Sequence, residues 1–146
     1  MIESKTTGIL FGTFDILHKG HLNLFKQARE KCNYLIVVIA RDETVRKVKN
    51  RYPVNSEKRR KEAVKSSLLA DKVILGSLKN KFAAIKRYNP DIIFLGYDQI
   101  AFTYKLKEEL RKMDIDPKII RLKSFKPEKY KTSLILSNNK KMDFDL

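Results

Sequence analysis

The two histidines of this 146-residue chain, His18 and His21, have only Lys19 and Gly20 between them. Two imidazoles set that closely across a turn can aim at one phosphate and donate hydrogen bonds to its oxygens, stabilising charge as it develops there. Transfer of a phosphoryl or nucleotidyl group asks little covalent help of a protein. Positioning and electrostatics carry it, and no side-chain nucleophile is required. A protein-held metal is disfavoured at the same place, because no carboxylate cluster flanks the pair and Cys32 is the only thiol in the sequence.

Such a pair works only if something holds it at the mouth of a sheet. The apolar run at residues 6–11 reads as a strand, and it leads through Gly12-Thr13-Phe14-Asp15-Ile16-Leu17 to the histidines. After Gly20, Leu22, Phe25 and Ala28 recur at helical spacing, which predicts a helix from close to 21 to about 31. Strand, loop and helix in that order put the histidines at the carboxyl end of a strand, where open α/β sheets bind ligands. They also lie at a helix N-terminus, whose unpaired amides and positive dipole end suit phosphate oxygens. Glycines at 12 and 20 let the backbone approach a ligand closely.

Further strands are expected at 34–40, 72–75 and 91–95, with a shorter and more charged edge candidate at 118–122. Helices are expected from Ser56, the N-cap, to about Leu69, and over 79–88 and 103–113, with Pro90 and Pro117 just past two helix ends. Alternation of this kind makes an α/β domain with a mainly parallel sheet. The domain is placed at 1–137, followed by a polar tail at 138–146 that begins Asn138-Asn139-Lys140-Lys141.

Composition bounds the rest. A hydrophobic share of 42% suffices for one core, and 32 Lys and Arg against 17 Asp and Glu give a net charge of +15. That charge draws phosphorylated metabolites or nucleic acid towards the chain without choosing between them. A single cysteine excludes an internal disulfide and fits a reducing, cytoplasmic address. No apolar stretch approaches the ~20 residues of a membrane span, and the first residues lack a signal peptide's apolar core.

The string GTFDILHKGHLNLFKQA at 12–28 resembles the HxGH signature of the cytidylyltransferase-like nucleotidyltransferase superfamily. ARDETV at 40–45, Pro53-Val54-Asn55 with Glu57 and Arg59, ADKVILG at 70–76 and LGYDQ at 95–99 are similar, in order and spacing, to the archaeal-type FAD synthase family. The resemblance implies a Rossmann-like nucleotidyltransferase fold, a mainly parallel five-stranded sheet with helices on both faces. It implies transfer of AMP from ATP to FMN with release of pyrophosphate, Mg²⁺ being brought by the nucleotide.

By the same resemblance, His18 and His21 hold the triphosphate, while Phe11, Gly12 and Thr13 line the nucleotide floor with backbone groups, and Gly20 belongs to the nucleotide-binding set. Lys49, with Lys47 and Arg51, falls where related enzymes have a mobile, phosphate-contacting loop. Gly96 and Asp98 match the LGxD segment, with Asp98 set for the ribose or base, and Thr132 and Ser133 stand in the late hydroxyl-rich segment. Asp15 reads as the residue that holds the loop's shape.

The family's glycerol-3-phosphate cytidylyltransferases, which use CTP, are the alternative. Their late RTxGISTT string is replaced here by KPEKYKTS at 126–133, Lys65-Ser66-Ser67 brings no arginine before Asp71, and Tyr97 replaces an acidic residue. These differences point to ATP. The family further implies a homodimer. A silent nucleotide- or nucleic-acid-binding module is a third reading, although it has no evident need for two histidines.

Overall fold

Tyr-Leu-Ile-Val-Val-Ile at 34–39 is a run that only a strand covered on both faces can bury. The computed structural model describes residues 5–80, 82–96 and 100–124. In chain order these residues form β1 (Thr7–Gly12), α1 (Lys19–Arg29), β2 (Tyr34–Ile39), α2 (Asp42–Lys49), α3 (Glu57–Ser66), β3 (Lys72–Leu75), α4 (Ala83–Tyr88), β4 (Ile92–Leu95), α5 (Ile100–Met113) and β5 (Lys118–Arg121).

The strands make one five-stranded sheet in the order β3-β2-β1-β4-β5. Every pairing in it is parallel, with Gly12 opposite Ile39 and Leu10 opposite Phe94 in register. Side chains alternate between two cores, as a period of two requires. Leu10, Leu35, Val37, Ile92 and Phe94 pack with Leu24, Phe25 and Ala28 of α1 and Val64 of α3. Ile9, Ile36, Val38, Ile93 and Leu95 pack on the other face with Ile85 of α4 and Leu106 and Leu110 of α5. The chain therefore winds outwards from β1 in one direction through β2 and β3 and in the other through β4 and β5. The carboxyl ends of β1 and β4 flank the point where the winding reverses, the crevice that open α/β sheets offer to a ligand.

Local chemistry sets several boundaries differently from the sequence expectations. Helix α1 starts at Lys19 rather than near 21, because His18 already caps it. Helix α3 ends at Ser66 rather than near 69: the Ser67 hydroxyl donates to the Val64 carbonyl at 2.6 Å, and Leu68 sits in the left-handed region at φ 62°. Helix α4 is shorter than 79–88 because side chains claim the amides ahead of it. Ser77 Oγ accepts from the amides of Lys79 and Asn80, and Asn80 Oδ1 from that of Phe82. Helix α5 starts at Ile100, earlier than expected.

The largest correction is α2, where a mobile basic loop was expected around Lys47 and Lys49. Residues 42–49 are helical, with Asp42 and Glu43 in the first turn and Arg46, Lys47 and Lys49 in the last, charges that complement the helix dipole at both ends. Arg51 lies just beyond, after Asn50 closes the helix in the left-handed conformation.

Candidate active site

Strand β1 delivers Gly12 and Thr13 to the carboxyl edge of the sheet, where Phe14 turns the chain at φ 51°. That turn lays the Phe14 ring back across Gly12, so a Cβ on Gly12 would lie 2.5 to 2.9 Å from three ring atoms. Glycine is required there by lack of space. The buried ring then meets Phe25 edge-on at 5.1 Å and His21 edge-on at 5.3 Å, with an interplanar angle of 88° to the latter. His21, 5% exposed, in turn stacks on His18, the ring centroids 3.9 Å apart. An aromatic chain from the core of α1 thus reaches both imidazoles, the two Phe14 contacts being edge-on, the geometry that aromatic quadrupoles favour.

His18 has extended backbone angles and serves as the N-cap of α1, its Nδ1 accepting from the Gly20 amide at 3.1 Å. An accepting Nδ1 puts the proton of the neutral ring on Nε2, leaving an Nε2–H donor. The first turn of α1 carries no acidic residue. The amides there and the two rings can together bind a phosphate chain, with donors fixed before the ligand arrives.

The loop before His18 is held from the side. Asp15, 5% exposed, accepts from the amides of Val54 and Asn55 at 2.8 Å each, one to each carboxylate oxygen. This use of both oxygens matches its reading as a residue that holds the loop's shape. The residue that sequence reasoning missed is Arg60. Its side chain is fully buried, and its guanidinium donates to the carbonyls of Asn55 (3.0 Å) and Thr13 (2.9 Å) and to Asp42 Oδ1 (2.7 Å). In Glu57-Lys58-Arg59-Arg60-Lys61 it looks like one more solvated charge. The available signal was its place one helical turn before the buried Val64, on the inward stripe of α3.

The other candidate residues distribute as follows. Phe11 lies in β1 opposite Val38 and packs partly against the second core. Thr13 is 1% exposed, and its Oγ1 has no hydrogen-bond partner among the described residues. Gly20 is in the first turn of α1, and Lys49 closes α2. Gly96, buried, follows β4 and its carbonyl accepts from the Arg121 guanidinium at 2.8 Å. Asp98, Thr132 and Ser133 lie outside the described residues, as does the 138–146 tail. No helix among the described residues is long and apolar enough to cross a membrane.

Comparison with known proteins gives one frame for these features. A family model described as cytidylyltransferase-like matches residues 9–138. The FAD synthase of Thermococcus sibiricus is 42% identical over 136 residues, which is 92% of this chain and 92% of that protein. The FAD synthase of Thermococcus kodakarensis is also 42% identical over 136 residues, 92% of this chain and 91% of that one. Among solved structures, the lipopolysaccharide core biosynthesis protein from Thermoplasma volcanium superposes with a TM-score of 0.78 at 32% identity, over 84% of this chain and 99% of that one. Pantoate-beta-alanine ligase from Francisella tularensis shares the fold alone, at a TM-score of 0.58 and 16% identity over 84% of this chain and 60% of its own.

Proposed function

The chain belongs to the cytidylyltransferase-like family, and from that premise we propose that it is an FMN adenylyltransferase, making FAD and pyrophosphate from FMN and ATP. The observation that carries the proposal is the stacked His18–His21 pair at the N-terminus of α1, at the carboxyl end of β1.

In this reading the triphosphate lies along the Gly12–Thr13 backbone and the first turn of α1. A phosphate oxygen of FMN attacks the α-phosphorus of ATP, the new P–O bond forms as the bond to the β-phosphate breaks, and pyrophosphate departs with the electron pair. His18 and His21 donate hydrogen bonds to the oxygens on which negative charge grows, and Lys49 at the end of α2 adds positive charge towards the phosphates. Gly96 and Asp98 take the nucleoside, and Thr132 and Ser133 add hydroxyl donors. Such fixed donors act without reorganising at the moment of reaction.

Mg²⁺ belongs to the proposal as the companion of ATP. Its ligands would include the phosphate oxygens of ATP, whose charge it offsets. A homodimer is part of the same proposal and is read by sedimentation.

The test is a panel of nucleotides and acceptors. Purified protein with FMN, ATP and Mg²⁺ is expected to form FAD and pyrophosphate in equal amounts. Pyrophosphate release from CTP with glycerol 3-phosphate, in the absence of FAD formation, would reject the proposal in favour of a cytidylyltransferase.

A further inference from the structure

Helix α2 is eight residues long and buries a single apolar side chain, Val45. A helix so short is not stable by propensity, and one buried valine gives it little grip on the core. Its N-terminal end carries further ties. At the N-terminus, Glu57 Oε1 accepts from the Asp42 amide at 2.8 Å and Glu57 Oε2 pairs with Arg41 Nε at 3.0 Å. Three residues further along α3, Arg60 reaches the Asp42 carboxylate.

The same guanidinium also holds the phosphate loop. Its three nitrogens each meet a different segment: Thr13 at the end of β1, Asn55 ahead of α3 and Asp42 at the start of α2. The Asn55 amide in turn donates to Asp15, two residues beyond Thr13, which closes a ring of hydrogen bonds through 13, 15, 55 and 60. A planar fork with donors in three fixed directions can do this, whereas a lysine offers one nitrogen.

We propose that Arg60 is a positioning residue that couples the β1–α1 loop to α2, so that the loop and the helix bearing Lys47 and Lys49 keep one spacing and respond to a nucleotide together. The inference rests on the reading of that loop as the phosphate site. It goes beyond that reading in assigning the spacing between loop and lysines to a buried side chain that touches neither substrate.

The decisive comparison is among Asp42→Ala, which releases the α2 arm and removes one first-turn charge, Arg60→Lys, which releases at least two arms, and Val64→Ala. The last removes core packing one turn along α3 and leaves every tie intact. Backbone amide exchange in the free protein reads the coupling, and calorimetric titration with MgATP reads its consequence. In Asp42→Ala and Arg60→Lys, amides of α2 and of residues 14–18 are both expected to exchange at least tenfold faster, beyond any change seen in Val64→Ala. MgATP affinity is expected to fall at least fivefold in those two variants and to stay within twofold of the parent in Val64→Ala.

Faster exchange in α2 with residues 14–18 unchanged would overturn the coupling. So would a MgATP affinity in Asp42→Ala equal to that of Val64→Ala. Neither readout needs FMN, so a parent protein that forms no FAD would reject the proposed acceptor and leave this comparison to be decided on its own data.

Discussion

His18 and His21 lie ring on ring, 3.9 Å between centroids and 25° from parallel, with Phe14 perpendicular to the second ring at 5.3 Å. Each imidazole is packed on the other. His18 keeps its place through the Gly20 amide and through His21, and His21 keeps its place through Phe14 and His18. The pair therefore behaves as one donor unit, and its members' contributions should not add.

Replacement of either histidine by alanine is expected to lower turnover on the order of 10²-fold, the usual cost of removing a fixed transition-state donor. The double replacement should be only a few-fold worse than the poorer single variant, because the first deletion already displaces the remaining ring. Pyrophosphate release at saturating ATP measures all three. Two losses that multiply would contradict the stacked-unit account.

Gly12→Ala tests the floor of the site. The added methyl meets the Phe14 ring at 2.5 Å, and the ring has Phe25 and His21 behind it. Overpacking of this kind costs about 1–3 kcal/mol. A drop in urea midpoint should accompany a loss of turnover, and shrinking the ring with Phe14→Leu in the same chain should recover stability without recovering turnover, since His21 loses its aromatic support. Full activity in Gly12→Ala alone would show that the ring can move aside at no cost.

Asp15→Ala leaves two inward-facing amides, those of Val54 and Asn55, without their acceptors. Each orphaned donor is worth about 1–3 kcal/mol, so a loss of about 2–4 kcal/mol is expected after partial hydration. Chemical denaturation should show the midpoint falling with the slope unchanged. A stability equal to the parent's would mean that water replaces the carboxylate freely.

Cys32 gives the protein an alkaline dependence. Burial beside Gly8 pushes its thiol above the 9.0 of an ordinary cysteine, the negative Asp71 adds to the rise, and the Gly8 backbone contact and Arg29 oppose it. The folded state then holds the proton to higher pH than the unfolded state does. Stability from this group is full below 9.0 and is lost as pH rises through the folded-state value, where the unfolded chain binds fewer protons. Thermal unfolding measured from pH 8 to pH 11 should fall more steeply for the parent than for Cys32→Ala. Parallel curves would refute the assignment.

The sheet was legible because its strands are covered on both faces, and residues 34–39 or 92–95 can satisfy their apolar character in no other way. The strand-loop-helix setting of His18 and His21 was legible for a similar reason: Leu24, Phe25 and Ala28 repeat at the helical period just after a glycine. Helix α2 was not, because one buried residue makes no period and its charges read as a loop. Arg60 was not, because among lysines and arginines only its place one turn before Val64 marks it as inward, and nothing marks the three carbonyl and carboxylate oxygens that await it. The left-handed turn at Phe14 was hidden too, since an aromatic residue is a rare choice for φ 51° and only the fit over Gly12 accounts for it.

Beyond β5 the chain is met by the carboxamide of Gln27 on α1, whose Nε2 donates to the Lys123 carbonyl at 2.8 Å while its Oε1 accepts from the Lys123 amide at 2.9 Å. The contact recognises main chain alone. Position 123 can therefore drift to any residue but proline without loosening the grip. Position 27 has no such freedom: glutamate lacks the donor, lysine lacks the acceptor, and asparagine falls one methylene short.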